Sequence, residues 1–374
     1  MDHIPSTPPH PPHTPEDWLV WLRLLRSRRV GPTTFHRLVA EYGSAESALE
    51  ALPGIARDAG VTDYAVCPPE IAADELRRAR LAGVTPIAIG SPTYPVALLD
   101  LPDAPPILWA LGDASLLTRP RVALVGARNA SSLGLRCAKS LAAGVGKAGI
   151  TTVSGFARGI DTEVHKATMD TGTIAVFAGG VDVVYPSENA ALAQELGERG
   201  LILSEQPVGL RPQARHFPSR NRLISGLSRA VVVVEAAAKS GSLLTARDAL
   251  DQGRDVLAVP GHPFDARASG CNMLIRDGAT LVRGPQDVLD AIGPLAAKPA
   301  PDPVAQPQKR TPLRETHALH RQILDRLGPS PSPEDTLIRD LDLPTATLAR
   351  CLTTLEMEGR ITRDPGGLLR KLDA

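Results

Sequence analysis

Between residues 121 and 261 the chain repeats one pattern: a short run of consecutive apolar positions, then a helix-length stretch of mixed character. The runs are RVALVGA (121–127), GITTVSG (149–155), GTIAVFAGG (172–180), GLILSE (200–205), RAVVVVEA (229–236) and RDVLAVPG (254–261). A strand apolar on every position is covered on both faces, and intervening helices supply the covers. The pattern predicts a doubly wound α/β domain with a parallel sheet over 84–293. From 84 to 111 the apolar runs are shorter and broken by prolines, which fits edge strands and loops. Ahead of the sheet, DWLVWLRLLRSRR (17–29) and TTFHRLVAEY (33–42) show helical spacing, with Gly31-Pro32 placed to start the second helix. A third helix, capped at Ser44, completes an all-helical unit over 16–82. Paired helices joined by such a turn grip DNA backbones in some proteins and are packing units in others; packing is the reading preferred here.

Residues 294–312, rich in proline and alanine, read as a linker. Beyond them ETHALHRQILDRL, EDTLIRDLDLP and TATLARCLTTLEMEGRI predict three helices, and TRDPGGLLRKL a hairpin. Three helices and a hairpin over 313–374 make a winged helix. Its third helix carries Arg350 but also Glu356 and Glu358, which repel a phosphate backbone, so contact with protein and contact with DNA both stay open.

Composition changes this picture little. The 374 residues hold 41 basic and 41 acidic side chains, so any anion site must come from local clustering. The stretch RPQARHFPSRNR (211–222) has four arginines and no acid. Cys67, Cys137, Cys271 and Cys351 lack metal-ligand spacing and read as buried thiols in a reducing compartment. No run is long and apolar enough to span a membrane, and MDHIPSTPPHPPHTPED lacks a signal sequence, so a cytoplasmic protein is expected. Residues 1–15, rich in histidine and proline, read as a disordered tail in preference to a metal site.

Ligands of such sheets bind beyond the carboxyl ends of the strands. There stand Gly126 and Arg128, then the loop with Ser154, Gly155, Phe156, Arg158 and Gly159, and later Lys239 and Ser240 in a small glycine turn. Neither the dinucleotide fingerprint nor the P-loop order is complete, so no cofactor is expected. Asp161 reads as the cap of its own helix. Together with Arg220, Asn221 and Arg222, these residues predict a basic ledge at one rim of the sheet. Phe217 has two readings: a platform for an unpaired base, or a core anchor in helical register with Leu223 and Leu227.

At these residues the sequence resembles the DNA-processing protein A family (DprA, Smf). The resemblance is carried by Gly126-Ala127-Arg128, SGFARGIDTEVH, FPSRNRLISGLS, EAAAKSGSLLTA, Pro260-Gly261 and GCNMLIRDGA, in that order along the chain. It implies an extended Rossmann fold between a sterile-alpha-motif-like helical domain and a winged helix. It also implies a non-catalytic protein that binds single-stranded DNA, dimerises through the Rossmann domain and helps load the RecA recombinase in natural transformation. The implied DNA pocket is Arg128, the 154–159 loop, Phe217, Arg220, Asn221 and Lys239. Two rivals stand against this: a nucleotide phosphoribohydrolase-like enzyme with Glu235 as its acid, and a winged-helix regulator with a ligand-sensing Rossmann domain.

Overall fold

The computed structural model describes residues 10–293, and in the C-terminal region 322–324, 326–327, 332–333, 352, 355, 360–364 and 368–371. Four helices open the chain: α1 (Pro15–Arg26), α2 (Pro32–Tyr42), α3 (Ala45–Asp58) and α4 (Pro69–Leu81). Thr14 caps α1 reciprocally with Asp17, and Pro32 occupies the first turn of α2, where its missing N–H costs nothing. The expected tail therefore ends sooner than residue 15, since residues 10–14 lead into this cap and Pro12 is buried. Helix α4 escaped the apolar pattern because its buried face is Ala72, Ala79 and Glu75, the last paired with Arg26 at 2.7 Å. Leu22, Phe35 and Leu38 are buried in a core continuous with that under the sheet, and His36 Nε2 meets the Ala104 carbonyl at 2.8 Å.

The main sheet has nine strands: β1 (Thr85–Ala88), β2 (Ile107–Gly112), β3 (Arg121–Val125), β4 (Thr151–Ser154), β5 (Thr173–Val176), β6 (Leu201–Ser204), β7 (Ala230–Val233), β8 (Asp255–Ala258) and β9 (Thr280–Leu281). Their order is β1-β2-β6-β5-β4-β3-β7-β8-β9. The expected runs form β3 to β8, all mutually parallel, while β1 and β2 add an antiparallel border. Pro86 is tolerated because β1 is an edge. Side chains alternate across the sheet. Val122, Leu124, Ala230 and Val232 pack on the face covered by α5 (Ser132–Lys147), α6 (Ile160–Thr168) and α11 (Pro285–Ile292). Ala123, Val125, Val231 and Val233 face the core shared with α8 (His216–Gly226), α9 (Ser242–Asp251) and α10 (Ser269–Arg276). Helix α7 (Ala190–Arg199) links β5 to β6.

The chain moves outward from β3 through β4, β5 and β6, then returns to the other side of β3 with β7. At that reversal the loops after β3 and β7 diverge to opposite faces and leave a crevice. Among the described residues no helix is long and apolar enough to cross a membrane. The C-terminal unit has a three-stranded sheet, β10 (Ser332–Pro333), β12 (Leu368–Lys371) and β11 (Ile361–Asp364), over a small core of Ile323, Leu324, Leu327, Leu352, Leu355, Ile361 and Leu369. The expected helix over 334–344, Arg350, Glu356 and Glu358 lie outside the described residues.

Candidate nucleic-acid interface

The crevice at the reversal is a cleft of about 630 Å³. Its back wall is the turn after β3, and that turn exists because of glycine. A Cβ on Gly126 would lie 2.6 Å from Ile160 Cγ1 and 3.0 Å from the Glu235 carbonyl oxygen. With the glycine in place, the Ala127 N–H donates to the Glu235 carbonyl at 2.7 Å, and Ile160 N–H donates to the Ala127 carbonyl at 3.3 Å. Gly159, at φ +73, wedges under the same turn: a Cβ there would sit 2.4 Å from the Ala127 oxygen and 2.7 Å from that of Arg128. Ser131 caps α5 and donates its hydroxyl to the Glu235 carboxylate at 2.5 Å, while its N–H donates to the other oxygen at 2.9 Å. Glu235, the acid of the hydrolase reading, is thus spent holding this turn, and it does not line the cleft.

The floor holds a buried guanidinium, Arg220, and a buried carboxyl, Asp161, near enough to influence each other. Arg220 is only 6 % exposed and donates to the carbonyls of Gly155 and Val176. Burial lowers its pKa to about 10, with Asp161 pulling the other way, so the guanidinium stays charged at neutral pH. Burial pushes the Asp161 carboxyl up, against the pull of Arg220. Asp161 accepts from Gly155 N–H at 3.1 Å and Ala157 N–H at 3.2 Å. It therefore braces the loop before its helix; the expected capping of its own helix is not what it does, because it already lies inside α6.

Arg128 and Lys239 stand exposed on the rim, and no ion pair ties either of them among the described residues. The Arg128 guanidinium lies 5.4 Å from the centre of the Phe217 ring, and the ring of Tyr185, 54 % exposed, stands tilted beside the same residue at 5.7 Å. Phe217 is half-buried at the cleft and outside the core that holds Leu223 and Leu227, so it is not the core anchor that its helical register allowed. Pro218, Asn221 and Ile224 of α8 complete that wall, and Ser240, Gly241 and Ser242 form the opposite lip at the start of α9.

Of the residues expected at a ledge, the fold gathers Arg128, Phe217, Arg220, Asn221, Lys239 and Ser240 at one cleft. The others go elsewhere. Ser154 is fully buried and donates to the Leu124 carbonyl at 2.7 Å. Gly155 lies beneath Arg220, whose Nη2 would be 2.9 Å from a Cβ. Phe156 packs in the core, 4.7 Å from Phe177 and 6.0 Å from His165. Gly159 is the wedge already described. Arg158 is paired with Glu188 at 2.6 Å, off the cleft. Arg222 points away to a separate pocket, where Asp103 at 2.9 Å and Glu205 at 2.5 Å neutralise it. Successive helix positions face different ways, so Arg220 and Arg222 of one basic run cannot share a surface. Arg211 and Arg215 are exposed but do not line the cleft. Residues passed over in the sequence also reach it: Asn129, Leu244 and Arg267, with Tyr185 against its Phe217 wall. Arg267 follows β8 and Tyr185 follows β5, so the carboxyl-end rule applied to every strand would have found both.

A family model described as DNA recombination-mediator protein A matches residues 85–293, more than half of the chain. A DprA-like N-terminal HHH domain matches 15–78 and a DprA winged helix domain 306–367. The DNA processing protein DprA of Streptococcus pneumoniae is 44 % identical over 198 residues, 52 % of this chain and 70 % of that protein. Protein Smf of Escherichia coli is 37 % identical over 288 residues, 76 % of each. Among solved structures, DNA processing protein A of S. pneumoniae aligns with a TM-score of 0.62 at 35 % identity, covering 74 % of this chain and 99 % of that one. The Helicobacter pylori DNA processing protein A, studied for its unique single-stranded DNA binding mode, aligns with a TM-score of 0.52 at 30 % identity, covering 56 % and 95 %. Over its helical, Rossmann-like and winged-helix parts, the chain belongs to the DNA recombination-mediator protein A, or DprA, family.

Proposed function

We propose that the protein binds single-stranded DNA in the cleft between the β3 and β7 loops and acts in DNA processing during transformation and recombination. One observation carries this: Arg128, with no acid partner among the described residues, lies 5.4 Å from the centre of the Phe217 ring, and Lys239 lines the same cleft. Cations without carboxylate partners attract phosphates, and aromatic faces stack bases of any identity at about 1–3 kcal/mol each. Phe217 and Tyr185 offer such faces to unpaired bases; in a duplex the faces are hidden. The single-strand binding described for the H. pylori relative supports the same reading.

The protein is proposed to do no chemistry on the strand. The one acid of the hydrolase reading, Glu235, is occupied by Ser131, and among the described residues only one carboxyl, Asp161, lines the cleft. Base release from nucleoside monophosphates, abolished in Glu235→Gln, would overturn that part. Dimerisation through the Rossmann-like domain and loading of the RecA recombinase are proposed from family likeness alone. Sedimentation at micromolar concentration tests the first, and the lag before recombinase filaments form on the bound strand tests the second. For DNA binding itself, anisotropy titrations with an oligonucleotide and its duplex are expected to favour the single strand and to weaken with salt. Equal affinity for both refutes the proposal.

A further inference from the structure

The loop after β8 carries the most exposed large apolar side chain among the described residues, Phe264, 94 % accessible. The loop is pinned at both ends. Asn272 holds Gly261, its carboxamide accepting from the Gly261 N–H at 3.1 Å and donating to the carbonyl at 3.0 Å. Gly261 packs so closely on Ala268 that a Cβ would come within 2.3 Å of the Ala268 Cβ. Between these points Asp265 N–H donates to the His262 carbonyl at 2.9 Å and Ala268 N–H to the Asp265 carbonyl at 3.0 Å. Turns this tight aim Phe264 outward, with the His262 ring 5.6 Å from it.

Resting on the single-strand reading above, we infer that Phe264 and His262 form a second base-stacking platform, where the strand leaves the cleft past Arg267. Arg267 lines the cleft and stands three residues beyond Phe264 in the same loop, so the loop that carries the platform also reaches the cleft. The two loops leave neighbouring parallel strands, β7 and β8, at the same rim. Asp265 does not repel the strand, since its carboxylate is paired with Arg267 at 3.2 Å. A protein partner needs a broad apolar patch, whereas Phe264 has only the small Pro263 and Ala266 as exposed apolar neighbours in its loop, among His262, Asp265 and Arg267; a single exposed ring matches a single base.

The test is Phe264→Ala in the full chain, titrated with oligothymidylates of about 4 to about 16 nucleotides. Short oligonucleotides confined to the cleft are expected to bind both proteins alike. Longer ones should bind the variant about fivefold or more weakly, the lower end of one lost base–aromatic stack, and Phe264→Tyr should bind them as the parent does. If Phe264→Ala matches the parent at every length while Phe217→Ala weakens binding throughout, the second platform is refuted and the cleft stands. If Phe217→Ala also changes nothing, the cleft reading fails and takes the platform with it. Unchanged DNA affinity with lost self-association would make the loop a contact between copies and overturn the inference.

Discussion

Arg128 is the cation of the cleft whose removal most directly reads the attraction for phosphate. Each phosphate neutralised on a single strand contributes about −0.7 to the slope of log affinity against log salt. Arg128 and Lys239 are unpaired, and Arg267 is shared with Asp265, so two to three contacts give a slope of about −1.4 to −2.1. Between about 50 and about 200 mM salt that is a loss of roughly 7- to 18-fold. Arg128→Ala is expected to flatten the slope by about 0.7, and Arg128→Lys to restore it, because slope counts charge. The lysine variant should still bind less tightly at any one salt concentration, having lost the planar fork that lies over Phe217. Arg222→Ala is the internal control: its charge is already neutralised by Asp103 and Glu205 in another pocket, so the slope should not move. Anisotropy titrations of the parent and three variants at four salt concentrations read all of this. An unchanged slope in Arg128→Ala, or an equal change in Arg222→Ala, refutes the assignment of the cleft.

Three further outcomes follow from the packing beneath it. Arg220→Ala strands the Gly155 and Val176 carbonyls and leaves Asp161 without its buried cation, so urea unfolding should show a loss of about 3–5 kcal/mol; a loss under about 1 kcal/mol would show that the floor is solvated. His165, fully buried, has its pKa lowered by desolvation to about 3, below the 6.5 of the unfolded chain. The unfolded state therefore takes up the proton first, and the stability this neutral ring contributes is complete above pH 6.5 and lost as pH falls toward 3. At about pH 5 the loss is about 2 kcal/mol, and it should be absent from His165→Gln. Asp161 works in the opposite sense, so the difference between the two proteins is the quantity to read; parallel stability curves would refute the assignment. Gly159→Ala, strained at φ +73 and colliding with the Ala127 carbonyl, should lower stability by about 2 kcal/mol or more and weaken DNA binding by displacing Arg128; unchanged affinity would uncouple that turn from the site.

Periodicity alone was enough for the parallel strands, the helix starts at Pro32 and Ser44, and the rim on which a ligand would sit, because those depend on local burial and on strand direction. It passed over α4, whose buried face is alanine and one paired glutamate, and β9, which is two residues long. Which arginines meet at the cleft was beyond it. A guanidinium's role depends on what stands opposite, and the carboxylates that claim Arg158 and Arg222 come from Glu188, Asp103 and Glu205, up to more than a hundred residues away in the chain. Arg220 and Arg222 are two positions apart in sequence, yet helical rotation puts one under the floor of the cleft and sends the other to a separate pocket. The sequence by itself determined where charge and ring were available; the tertiary structure alone decided which charges remained unpaired, because pairing is a matter of distance in space.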